Sequence, residues 1–111
     1  MAFFGLASCQ CWANISGDSN PVALRDNYNV SSLTDHDAGD HSVNIDTDMP
    51  NANYSAYIGG SNDDNGCHSG IHSNAMSASA CRYFTRTGSI SSGKTDMPLT
   101  LFAIFGDPMY G

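Results

Sequence analysis

All eleven acidic residues of this chain are Asp, none is Glu, and Lys94 is the only lysine. Glu and Lys are long, flexible residues that lose little freedom in a helix, whereas Asp competes with the helical backbone for hydrogen bonds and favours caps and turns. A helical bundle is therefore excluded. Gly, Ser, Asn, Asp and Thr together supply nearly half of the 111 residues, which again favours turns and exposed sheet faces.

Short alternating runs set the fold class. Residues 10–16 place Cys11, Ala13 and Ile15 on one side and end in the turn chemistry of Gly17-Asp18-Ser19-Asn20-Pro21. Residues 27–34 set Tyr28 and Val30 at period two, and His41–Thr47 alternates as well. Residues 27–47 thus read as one β-hairpin with Gly39 in its turn. Met49-Pro50 stops that strand, and Asn53–Ile58 begins another. Residues 59–79 have no period and read as a functional loop, a weak strand or disorder. Ala80–Thr87 is a strand carrying two arginines, and Leu99–Phe105, the most apolar run, reads as the central buried strand. Six to seven short strands separated by turns predict an all-β, antiparallel β-sandwich.

Leu, Ile, Val and Phe are only 19 of the 111 residues, so the core is thin. Disorder is rejected, because only 14% of residues are charged and 10% are aromatic. A domain this small buries about two thirds of its extended-chain surface. Extra burial is expected from self-association, as a homo-oligomer. The net charge of −7 repels phosphate backbones and anionic lipid, so nucleic acid is excluded as a partner. The apolar start, Met1 to Cys9, has no basic flank and is too short for a signal segment or a membrane span. No membrane insertion is expected.

Cys9, Cys11, Cys67 and Cys81 read as free thiols, with Cys11 and Cys81 as small buried apolar side chains in strands. Cys67, His68 and His72 form the only candidate metal set; in a Gly/Ser/Asn-rich stretch they read more simply as exposed loop residues. No nucleophile elbow, phosphate loop or zinc-protease motif is present, and the chain is read as non-enzymatic. Asp35-His36-Asp37 with Asp40-His41 is explained as a hairpin turn, since a calcium loop of the EF-hand type needs a Glu. Arg25, and Arg82 with Arg86, read as salt-bridge or capping partners.

One stretch resembles a known family. Trp12-Ala-Asn14-Ile-Ser-Gly17, then Leu24-Arg25 through Asn29-Val-Ser-Ser-Leu-Thr-Asp35, Gly39-Asp40, Val43-Asn44 and Thr47-Asp-Met-Pro-Asn-Ala-Asn-Tyr54 are similar to the terminal domain of tail fibre proteins of marine and freshwater bacteriophages. The likeness is dense from Trp12 to Tyr54 and schematic from Ile58 to Phe105. It implies a virion component made in the host cytoplasm, a homotrimer at the tip of a tail appendage that attaches to host surface polysaccharide through variable loops. Other virion tail or baseplate proteins are the further partners implied, with residues 1–10 as a docking segment and 11–111 as the sandwich.

On that reading the receptor face is expected in 59–79 and 88–96, with Tyr57, Asn62, Asp63, Asp64, His68 and His72 as contacts. No cofactor is expected. A metal held by Cys67, His68 and His72 at the trimer axis is an additional expectation. Two rivals stand beside it: a purely structural virion component (fibre linker, collar or capsid decoration) whose loops serve subunit contacts, and a small polysaccharide hydrolase using two carboxylates.

Overall fold

The computed structural model describes residues 9–61, 67–87 and 93–107. The described chain is all-β, with eight strands in two antiparallel four-stranded sheets. The strands are β1 (Cys11–Ser16), β2 (Ala23–Tyr28), β3 (Val30–Asp37), β4 (Asp40–Ile45), β5 (Ser55–Ser61), β6 (Cys67–Met76), β7 (Ala80–Thr87) and β8 (Leu99–Phe105). One sheet runs β2-β1-β8-β5 and the other β3-β4-β7-β6. Their inner faces share one core, as in a β-sandwich.

Alternation explains the core. From the first sheet come Cys11, Ala13, Ile15, Phe102 and Ile104, and from the second Val30, Val43, Ile45, Cys81 and Tyr83, all buried. The Tyr83 and Phe102 rings meet across the layers at 6.3 Å. Burial pushes the Cys11 thiol up to about 12 and the Cys81 thiol to about 11, so both stay protonated and act as small apolar side chains. All four cysteines are free.

The expected strand over 27–34 is two strands. Asn29 adopts φ 60°, a left-handed conformation that Asn tolerates better than most residues, and it sends the chain from one sheet to the other. Tyr28 is accordingly exposed on the first sheet while Val30 is buried in the second, although their spacing suggested a shared face. The Asn29 side chain fixes the crossing: its amide donates to Thr47 O (3.1 Å) and Gln10 O (3.3 Å), and its Oδ1 accepts from Thr47 N (2.7 Å). The hairpin expected at Gly39 is present as β3–β4. Gly39 has φ 62°, and a Cβ there would lie 2.5 Å from Thr85 O and from Thr95 N, so only glycine fits.

The structure narrows one further expectation, since a weak strand is one reading of 59–79, and changes two. Part of the unpatterned stretch 59–79 is β6, an edge strand paired with β7 through Cys67–Ile71 and Met76, with a register shift between those last two. β8 is central, between β1 and β5, but is covered on one face only. Thr100, Phe102 and Ile104 point inward, while Leu99, Leu101 and Phe105 lie on the outer face, at least a third exposed. Gln10, assigned to a docking segment, belongs to the sandwich: its N–H donates to Ile104 O (2.9 Å) and its Oε1 accepts from Gly106 N (3.1 Å). Residues 1–8 lie outside the described residues.

Candidate functional site

The outer face of the β2-β1-β8-β5 sheet is where the alternation leaves large apolar groups in solvent. β1 turns Cys11, Ala13 and Ile15 inward, which forces Trp12 outward, 37% exposed. Pairing aligns Trp12 with Tyr28 on β2 and with Ala103 on β8, and Ala103 with Tyr57 on β5. Tyr28, Trp12, Ala103 and Tyr57 therefore form one row across all four strands. Trp12 and Tyr57 are two strand spacings apart, about 10 Å. The next row is Asp26, Asn14, Leu101 and Gly59.

Between these rings lies a shallow depression of about 430 Å³, walled by Trp12 and Tyr57 and bordered by Asn14, Gly59, Leu101 and Ala103. Its width depends on small side chains: Ala103 lies between the two rings, and a Cβ added at Gly59 would meet nothing within 4 Å. Tyr57 is braced edge-on by Phe105, with ring centroids 6.0 Å apart. At the far edge Arg25 anchors β2, donating to Asn14 Oδ1 (3.2 Å), Ile15 O (2.8 Å) and Pro98 O (2.6 Å).

The outer face of the other sheet has the opposite chemistry. Asp40, 2% exposed, accepts from Arg82 Nε and Nη2 (2.8 and 2.9 Å) and from Lys94 Nζ (2.7 Å). The two-pronged hydrogen bond from Arg82, reinforced by Lys94, outweighs burial and holds the carboxyl well below the usual carboxylate range. His72 Nε2 stands 3.6 Å from Asp40 Oδ1, beyond hydrogen-bonding distance, and has no hydrogen-bond partner among the described residues. Burial pulls its pKa down, and the nearby cations outnumber the one carboxylate that would raise it.

The expected contact residues that are described are not brought together. Tyr57 stands on the outer face of one sheet, and His68 and His72 on the edge strand of the other. Asn62, Asp63 and Asp64 lie outside the described residues. Lys94–Asp96, expected within a receptor loop, are tied down: Thr95 N donates to Thr85 O (2.9 Å), and Asp96 Oδ1 accepts from Gly39 N (2.6 Å). The metal set is also split. Strand alternation turns Cys67 inward, away from His68 and His72, and four residues of strand separate the two histidines by roughly 13 Å. Among the described residues no group of three His, Cys or Asp side chains is placed to hold a metal.

Trp12, Asp40 and Arg82 were not anticipated as site residues, and Lys94 only as part of the segment 88–96. Trp12 was legible, because it alternates with three core residues. The lysine and arginine contacts depend on long-range pairing.

His41, read as a turn residue, is in the core. Its Nδ1 is 3.0 Å from the Tyr83 hydroxyl, and its Nε2 is 3.5 Å from Asp35 Oδ1 and 3.6 Å from Asp96 Oδ1. His41 is 2% exposed and Tyr83 fully buried, so the imidazole and the phenol are enclosed in the core, whereas Asp35 and Asp96 reach solvent.

Comparison with family models, with curated proteins and with solved structures finds no match to this chain.

Proposed function

We propose that this chain is the host-attachment module of a phage tail fibre, displayed as a homotrimer, and that it holds neutral surface glycan on the outer face of the β2-β1-β8-β5 sheet. The observation that carries the reading is the register row Tyr28–Trp12–Ala103–Tyr57, with its open depression between two exposed rings. The carbon-bound hydrogens of a pyranose make one face of the ring apolar, and such a face lies flat on an aromatic side chain. The two ring walls stand about 10 Å apart, the repeat of two pyranose rings in an extended, equatorially linked chain. Asn14 and Asp26 offer hydrogen bonds to hydroxyls from the next row, giving the mostly apolar lining with few polar groups usual for small-ligand sites. Such contacts are individually weak, and three copies on one fibre tip multiply them without any new contact.

A purely structural virion component is the second reading, favoured by Leu99, Leu101 and Phe105 on the same face. An exposed apolar sheet face free of charge at its centre also suits a second copy of the chain. Trp12→Thr and Tyr57→Thr separate the two, read by binding to an array of neutral glycans and by solution mass from light scattering. The attachment reading expects both variants to lose glycan binding while keeping the wild-type mass. A fall in mass towards the 11.8 kDa of one chain, with no glycan bound by the wild type, overturns it.

A further inference from the structure

The outer face of the β3-β4-β7-β6 sheet also sets a nucleophile beside a base. Ser42 Oγ and His36 Nε2 are 2.8 Å apart, a hydrogen-bonding distance. Among the described residues this is the one hydrogen bond of the Ser42 hydroxyl, and its partner is the side chain best suited to take a proton from a serine. With the ring proton on Nδ1, Nε2 accepts from the hydroxyl, as a general base must.

Register shows how the pair is made. Asp35 pairs with His41 and Asp37 with Asp40, so His36 is the extra residue of a β-bulge. A bulge re-aims the side chain it carries. His36 thereby reaches back along the outer face to Ser42, whose direct partner on β3 is Thr34. Where the hairpin is regular the outcome differs: the Asn44 amide donates to the Ser32 and Thr34 hydroxyls, and no base takes part.

The neighbour of Ser42 on its other side is a cation. Arg82 pairs with Ser42 from β7, so the two side chains rise from the same face, on Cα atoms about 5 Å apart. Asp40 grips the guanidinium through Nε and Nη2, at 2.8 and 2.9 Å, which fixes its position, and the Arg82 side chain stays 34% exposed. A positioned guanidinium stabilises an oxyanion that develops beside it. Ser42 is 9% exposed and His36 is exposed, so the hydroxyl is recessed while the base meets water. The His41–Tyr83 pair, by contrast, is enclosed in the core.

We infer that Ser42 and His36 form an esterase site for small acyl esters of alcohols, with Arg82 placed for the oxyanion. Ser42 Oγ attacks the carbonyl carbon while its proton passes to His36 Nε2, giving a tetrahedral oxyanion beside Arg82. Collapse breaks the bond to the alcohol oxygen, which leaves with the proton from His36, and the acyl group stays on Ser42. Water then attacks the acyl carbon and gives a proton to His36, and Ser42 Oγ departs with that proton as the carboxylic acid is released. The recessed hydroxyl admits an acetyl group and disfavours long acyl chains. An ester is favoured over an amide because an alcohol is the better leaving group.

The test is hydrolysis of para-nitrophenyl acetate by the whole chain. The probe carries no sugar, so the result is independent of the glycan reading. Release of para-nitrophenolate above the buffer rate is expected, with an acetyl group found on Ser42 by peptide mass spectrometry after acid quenching. Ser42→Ala and His36→Gln should each slow that release about a hundredfold or more, and the hexanoate ester should react more slowly than the acetate. Urea midpoints report the folding of both variants, and His36→Gln, at an exposed bulge, serves alone should Ser42→Ala not fold. Release no faster than in buffer, acetylation of other residues with Ser42 unmodified, equal rates in the wild type and a folded variant, or hexanoate preferred over acetate overturns the assignment.

Discussion

The two outer faces share one architecture and differ in what their side chains are joined to. On the β3-β4-β7-β6 face the polar groups are bonded to one another: Asp40 ties β4 to β7 through Arg82 and to the segment after β7 through Lys94. On the β2-β1-β8-β5 face the large side chains Trp12, Tyr28, Tyr57 and Leu101 stay 37 to 60% exposed. A face whose residues satisfy each other contributes to stability. A face whose residues are left facing water contributes little to the fold and is available to a ligand. Substitution of Asp40, which joins Arg82 and Lys94 on the first face, should therefore alter folding, and substitution of the exposed rings on the second should alter binding.

The sharpest attempt to break this contrast is Asp40→Asn. Asp40 is the buried member and accepts three charge-assisted hydrogen bonds; Asn keeps its shape but not its charge, and because Arg82 and Lys94 are one third exposed and can turn to water, the expected loss is roughly 1–2 kcal/mol. Urea denaturation at neutral pH measures it. A loss under about 0.5 kcal/mol, the usual range for a surface change, would remove the distinction between the faces.

The same carboxylate predicts an acid profile. Its pKa in the folded chain is lowered, so its stabilisation is complete above the unfolded Asp value of about 4 and is lost as pH falls through the lower folded value. The urea midpoint of the wild type should fall more steeply below about pH 4 than that of Asp40→Asn. Parallel profiles would show that Asp40 is not the responsible group.

On the aromatic face, Trp12→Thr and Tyr57→Thr keep a strand-forming residue and should cost under about 1 kcal/mol of stability while weakening glycan binding about tenfold or more. The smallest structural effect is expected for Gly59→Val. A Cβ there meets nothing within 4 Å, so folding should change by less than about 0.5 kcal/mol, yet the branched side chain would stand in the depression and weaken binding. Unchanged binding in Gly59→Val, with folding intact, would place the ligand elsewhere.

How much was legible follows the range of the interactions. Local alternation identified β1, the Gly39 hairpin, β7 and β8, because one-sided burial and a left-handed turn leave marks within a few residues. The division of 27–34 at Asn29 was not visible, since a single left-handed Asn reverses the meaning of the Tyr28–Val30 spacing. β6 was only one of three readings of 59–79, because edge strands need few apolar residues and its Gly70 serves a ring on another strand. Tyr57 was singled out from sequence, but its partners Trp12 and Ala103 enter through pairing of strands about ninety residues apart in the chain. The apolar run Leu99–Phe105 did contain a signal for the site: apolar residues at both periods of a strand covered on one face leave the other face apolar and exposed.

Trp12 is the only tryptophan in the chain, so its fluorescence reports directly on the proposed glycan platform. The decisive measurement is a titration of that emission with a neutral, equatorially linked oligosaccharide, in the wild type and in Tyr57→Thr. The account predicts a saturable change in emission for the wild type that is weakened about tenfold or more by Tyr57→Thr. Emission that stays constant to millimolar ligand, or an identical response in both proteins, would contradict it.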